Sequence, residues 1–290
     1  MAFPAITPEI PTLIRSSAAR FGSHPFLIAD DHMLSYAELD RRSARLAVSL
    51  LAEGIGKGDH VGILMPNSVD WAIAWFAVTR IGAVAVPINT FYQAKELAWV
   101  IRHADLRAVL TWSRFANHDF LARLEAALPG LDGQRRAGRI VVKGAPYLRM
   151  VAVWGQSSYA WATPVLGDAT SAALKIDSDI LHEVESCVTP ADEIAIIYTS
   201  GSSGEPKAPV HTRGFGSPQL QPHQRLRRHS RRRPLYVDAI FLDRRFDNRL
   251  ARCHPPRCNT CHPKRVRRRR GAAADRALPR HHHAGLATAR

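Results

Sequence analysis

Cysteine is nearly missing from the first 207 residues, where Cys187 stands alone, and a single thiol excludes a disulfide framework there. Long apolar runs are missing as well. The longest, Trp71 to Val78, is far too short to span a bilayer and reads as the buried face of a helix. The opening Met1-Ala2-Phe3-Pro4-Ala5 has neither the basic start nor the apolar stretch of a secretory leader, which points to a cytoplasmic protein without a membrane span. Acidic residues run short only at the other end. Residues 1–207 carry 19 Lys+Arg against 21 Asp+Glu, whereas residues 208–290 carry 21 against 4, with no Glu, no Trp and no Met. The formal net charge of +15 therefore belongs to the tail, and the nucleic-acid partner that such an excess suggests in bulk is no property of the first 207 residues.

What is present before the tail is an alternation of strand-like and helix-like segments. Helical spacing of Leu13, Ile14, Ala18 and Phe21, with Pro11 in the first turn, predicts a short helix over 11–21. Phe26 to Ala29 and Met33-Leu34 flank a polar turn and read as two short strands. Ser35 and Glu38 form a capping box ahead of a helix that Gly54 ends. His60 to Met65 is a strand, stopped by Pro66-Asn67-Ser68, which caps a helix carrying Trp71, Trp75, Phe76 and Val78 and closed by Gly82. Strands at Val84–Ile88 and Ala108–Thr111 bracket a helix over Lys95–Ala104. Phe115–Leu128 reads as one further helix and Ile140–Val142 as a strand. Apolar strands alternating with capped helices predict an α/β fold with a mostly parallel sheet covered by helices on both faces. Trp71, Trp75 and Trp99 read as core, Asn67 as a helix cap and Asn89 as a turn that ends a strand.

The stretch Ile196-Ile197-Tyr198-Thr199-Ser200-Gly201-Ser202-Ser203-Gly204-Glu205-Pro206-Lys207 organises the rest. A buried strand runs into small and hydroxylated residues. Gly201 and Gly204 allow positive φ, so that successive N–H groups can converge into an anion nest. Thr199, Ser200, Ser202 and Ser203 add hydroxyl donors, and Lys207 adds a point charge. The spacing is not that of a Walker A loop, because Lys207 follows Pro206 and precedes Ala208. A Gly/Ser linker is the bland alternative, and it gains nothing from the strand before it or the Pro-Lys after it.

At Tyr198 to Lys207 the sequence resembles the adenylate-forming enzymes: acyl-CoA synthetases, luciferases and nonribosomal peptide adenylation domains. Ser203 stands where threonine is common in that family and Ala208 where glycine is usual. Leu64-Met65-Pro66-Asn67-Ser68 and Gly82-Ala83-Val84-Ala85-Val86-Pro87-Ile88-Asn89 extend the likeness, which runs from about Ile10 to Thr212. The resemblance implies a partial adenylation domain over 1–212, the N-terminal subdomain of the adenylate-forming fold. It implies activation of a carboxylic, in particular fatty, acid by ATP to an acyl-adenylate and its transfer to coenzyme A. Carried over residue by residue, Thr199, Ser200, Gly201, Ser202, Ser203, Gly204 and Lys207 would hold the β- and γ-phosphates of ATP. The adenine and ribose contacts, the Mg²⁺-binding Glu, the hinge, the catalytic Lys and the coenzyme A site lie downstream in the family. The resemblance therefore implies no catalytic or metal residue within this chain, and an impaired synthetase.

Residues 213–290 admit three readings. A basic tail could bind nucleic acid or another polyanion nonspecifically, though only Phe215, Tyr236, Phe241 and Phe246 are there to stack on bases. Cys253, Cys258, Cys261 and His262 sketch a zinc module with only one Cys-x-x-Cys pair. The third reading is a frameshift, since codons of a GC-rich gene read out of register turn into arginine and proline codons. Asp238 to His254 can be encoded so that dropping one base yields Met-Pro-Phe-Phe-Trp-Ile-Gly-Gly-Leu-Thr-Ile-Gly-Leu-Leu-Ala-Ala, an apolar, glycine-containing segment of the kind the family has after its phosphate loop. With so few large apolar side chains and so much like charge, the tail is expected to stay largely disordered. A non-catalytic remnant or binding module is the alternative to a truncated synthetase.

Overall fold

In the computed structural model, which describes residues 9–29, 32–134, 139–155, 157–165, 178–199 and 207–212, the alternation closes into a seven-stranded sheet with helices on both faces. The basic tail, with its candidate zinc ligands, lies outside the described residues.

Helix α1 (Ile10–Phe21) starts with Pro11, whose missing N–H costs nothing in a first turn. Strands β1 (Pro25–Ala29) and β2 (His32–Ser35) form an antiparallel pair, and Ser35 then caps α2 (Tyr36–Ala52). The capping box is complete: Glu38 N donates to Ser35 Oγ at 3.2 Å and Ser35 N donates to Glu38 Oε2 at 3.0 Å. Next come β3 (His60–Leu64), α3 (Val69–Arg80) and β4 (Val84–Pro87), with Ser68 Oγ accepting from Trp71 N at 3.1 Å. Gly82 ends α3 at φ 79°, and a Cβ there would meet the Lys57 side chain at 2.9 Å. Helix α4 (Ala94–His103) leads to β5 (Ala108–Trp112).

Two expectations fail between β5 and the next sheet strand. Phe115–Leu128 is not one helix, because a hairpin of β6 (Arg114–Phe115) and β7 (His118–Asp119) precedes α5 (Phe120–Ala127). Asp119 sets that boundary by accepting from Ala122 N at 2.9 Å, which caps α5. Ile140–Val142 is not a strand either. Ile140 and Val142 are buried and Val141 is 72% exposed, so burial alternates there without a ladder. The next sheet strand is β8 (Met150–Trp154), followed by β9 (Ala162–Pro164), α6 (Ser178–Ser186), β10 (Glu193–Ile196) and β11 (Val210–Thr212).

Across the sheet the order is β11-β10-β4-β3-β5-β8-β9, parallel throughout except for β11. The two-residue period of a strand divides its side chains between two cores. Val61, Ile63, Ala85, Ala108, Leu110, Ala152 and Ala195 face the layer of α1, α2 and α3. Leu64, Val84, Val86, Val109, Val151, Val153 and Ile196 face α4 and α5. Trp75 is buried in the first core, while Trp71 and Trp99 are half-buried at the edges of the two cores. Asn89 Oδ1 accepts from Phe91 N at 2.9 Å in the expected turn, whereas Ser68, not the exposed Asn67, caps α3.

The first core also contains charge. Arg80, at the end of α3, is 1% exposed and donates from Nε to Glu185 Oε1 of α6 at 2.5 Å, from Nη1 to Ser43 Oγ at 2.8 Å and the Asp40 carbonyl at 2.9 Å, and from Nη2 to Asp40 Oδ1 at 3.0 Å. Arg15 of α1 pairs with the same Glu185. Just beyond α6, Lys57 Nζ donates to the Cys187 carbonyl at 2.7 Å and pairs with Asp192 Oδ2 at 2.9 Å. These contacts fix the chain that enters β10.

Candidate functional site

β10 joins the sheet beside β4 in parallel register, with Ala195 opposite Ala85, and its carboxyl end therefore opens on the edge where α/β sheets place their ligands. β11 returns antiparallel, setting Ile196 opposite Val210. Ile197 N donates to the Pro209 carbonyl at 3.2 Å. Beyond that, Thr199 and Lys207 exchange both backbone hydrogen bonds, Thr199 N to Lys207 O at 2.8 Å and Lys207 N to Thr199 O at 3.0 Å. This pair closes the intervening segment into a loop whose two ends meet. A flexible linker needs no such stem.

Of the residues assigned to phosphate, the fold brings Thr199 and Lys207 together, and Ser200, Gly201, Ser202, Ser203 and Gly204 lie outside the described residues. Lys207 is exposed and makes no ion pair among the described residues, so its ammonium carries charge not neutralised by any of them. Among the described residues no group of three His, Cys, Asp or Glu assembles.

Three side chains outside the sequence-level assignment support the stem. Tyr198, directly before Thr199, is half-buried against the second core, and its hydroxyl lies 2.8 Å from His103 Nδ1 at the end of α4. Burial, reinforced by Tyr92 and Asp105, pushes the Tyr198 phenol up to about 12, so it keeps its proton at neutral pH, and the tautomer of the imidazole sets which of the two groups donates. Trp99, one turn earlier on α4, stacks on His103 with ring centroids 4.4 Å apart and meets the Tyr198 ring edge-on at 5.6 Å. The i,i+4 spacing of Trp99 and His103 was visible in the sequence. Their meeting with Tyr198, 95 residues after His103, was not.

Residues 14–220 match the family described as AMP-binding enzyme. The chain belongs to that family. Among curated AMP-binding relatives, it is 30% identical over 185 residues to the putative acyl-CoA synthetase YngI of Bacillus subtilis, covering 61% of this chain and 32% of that protein. It is 29% identical over 183 residues to the long-chain-fatty-acid–CoA ligase FadD13 of Mycobacterium tuberculosis, covering 63% of this chain and 30% of the other. The chain thus spans about a third of the length of these relatives. Two solved structures share the fold. A putative long-chain-fatty-acid CoA ligase from Rhodopseudomonas palustris is 22% identical with a TM-score of 0.55, over 75% of this chain and 48% of that one. An anthranilate CoA ligase in complex with anthranoyl-AMP is 18% identical with a TM-score of 0.54, over 74% and 37%. The described portion is a mixed α/β layer with a mainly parallel sheet, as in the N-terminal part of adenylate-forming enzymes. No helix among the described residues is long and apolar enough to cross a membrane.

Proposed function

We propose that residues 1–212 are the ATP-phosphate-holding part of an acyl-CoA synthetase that activates a fatty acid to its adenylate and passes it to coenzyme A. The observation that carries this reading is the Thr199–Lys207 pair, which closes a Ser/Gly loop at the carboxyl end of a parallel strand and sets an exposed lysine at its exit. In this reading Thr199, Ser200, Gly201, Ser202, Ser203, Gly204 and Lys207 take the β- and γ-phosphates of ATP through N–H groups, hydroxyls and one ammonium. Nothing in the chain is assigned to Mg²⁺ or coenzyme A. The reaction needs charge around the attacked α-phosphate, and the loop reaches the β and γ end only. Residues 213–290, read as an out-of-frame tail, supply none of it. In this reading residues 1–212 hold a polyphosphate of a cytoplasmic enzyme and do not by themselves supply the groups that thioester formation needs. Loss of a single electrostatic group of this kind already costs about 10²- to 10³-fold in rate.

Acid-dependent pyrophosphate exchange with the 290-residue protein and fatty acids of several lengths tests the reading. Exchange at background, together with weak tripolyphosphate binding that Lys207→Ala abolishes, is expected. Exchange clearly above background and lost in Lys207→Ala would show that these residues still adenylate, and would overturn the account of the tail.

A further inference from the structure

The two strands of the stem are well paired with each other, but backbone ties them only thinly to the rest of the sheet. β10 meets β4 through one register pair, Ala195 with Ala85, and the chain has left that ladder by the time it reaches Thr199. What meets the stem from the other side is the end of α4. We infer that His103 is a positioning residue for the loop: through its hydrogen bond with the Tyr198 hydroxyl it fixes the strand end that presents Thr199 and Lys207, and Trp99 holds the imidazole in place.

Geometry supports the assignment. A 2.8 Å contact leaves the hydroxyl no slack, and the 4.4 Å stack on Trp99 restricts rotation of the imidazole ring. Tyr198 lies directly before Thr199, so anchoring its ring restrains the backbone that forms the Thr199–Lys207 pair. His103 itself is exposed and 95 residues from Tyr198, so a merely local role would stay within α4. The phosphate-holding role of residues 199–207 is needed only for the functional consequence, that Thr199 and Lys207 are held in place before the ligand arrives.

The test uses the 290-residue protein and the variants His103→Ala, His103→Asn and Tyr198→Phe. An asparagine keeps a polar atom one bond from Cγ, where Nδ1 sits, and its amide can turn to accept or to donate. Amide hydrogen exchange is read at Thr199 and Lys207, with Gly62 and Val109 in the central strands as internal references. Exchange about fivefold faster at Thr199 and Lys207 in His103→Ala and in Tyr198→Phe is expected, with the references unchanged and near wild-type rates in His103→Asn. The two deletions combined should add little beyond either one. Equal rates in all variants, or no recovery with asparagine, would overturn the inference. Binding of inorganic tripolyphosphate is measured on the same proteins, and about fivefold weakening in His103→Ala is expected. If the wild type binds no tripolyphosphate while exchange follows the pattern above, the phosphate reading falls and the positioning role stands.

Discussion

Replacing Glu185 by alanine should be among the costliest single changes in the described part of the chain. Glu185 and Arg80 are 3% and 1% exposed, so deleting the carboxylate leaves a guanidinium in a dry core with no water to take over. Breaking a buried pair from one side costs about 3–5 kcal/mol. Asp40 Oδ1 stays 3.0 Å from Arg80 Nη2 and still answers part of the charge, which puts the expected value near 3 kcal/mol. At about 1.4 kcal/mol per decade, that shifts the folding equilibrium about a hundredfold. Urea unfolding of the full chain, followed by tryptophan fluorescence, should show a lower midpoint at unchanged slope. Arg80→Met combined with Glu185→Leu should recover part of the loss, because two apolar groups need no counter-charge. A loss below about 1 kcal/mol in Glu185→Ala would mean that water reaches Arg80, and would refute the dry-core argument.

Gly82→Ala should destabilise by about 1–2 kcal/mol, read as a lower thermal midpoint, because φ 79° is unfavourable for an L-residue and its Cβ would press on Lys57. Ser35→Ala should cost about 1 kcal/mol, measured in the same unfolding assay, by freeing the N–H of Glu38. The capping box also titrates. The Ser35 backbone N–H, then its hydroxyl, hold the Glu38 carboxyl below its ordinary value against a smaller opposing effect of burial, with Arg41 and Arg42 assisting. Because the folded value is the lower one, the contribution of Glu38 is complete above the ordinary carboxylate range, about pH 4–5, and is lost as pH falls through the folded value. Stability of Glu38→Gln should therefore depend less steeply on acid than that of the wild type.

Elements written in neighbouring residues could be read directly. Ser35 and Glu38 are three positions apart, and the box they form depends on nothing further along the chain. The runs at β3, β4 and β5 are buried on both faces, so their apolar character is nearly unbroken. The hairpin before α5 was hidden because Ala116 makes its turn at φ 48°, a conformation that a sequence usually marks with glycine or asparagine. Ile140 and Val142 imitate a strand because two buried side chains flank an exposed one, although the pocket they fill belongs to no ladder. In the candidate site, the pairing partners Thr199 and Lys207 lie within the stretch that the sequence singles out. His103 and Glu185 were not legible, since each looks like an ordinary helix-surface polar residue until a partner about a hundred positions away meets it.

The hairpin that carries the loop has a second consequence. β4 is short, apolar and buried, and without β10 beside it the backbone at Ala85, which Ala195 now faces, would stand open at the sheet margin, a place for pairing with another chain. β10 covers that margin, and β11 takes over the outer position with only three residues, directly after Pro209 and with exposed Thr212 at its end. A short outer strand next to proline is poor material for further pairing. The segment proposed to hold the anion is thus also the one that closes the sheet margin, and a cut ahead of Glu193 would remove both covering strands at once.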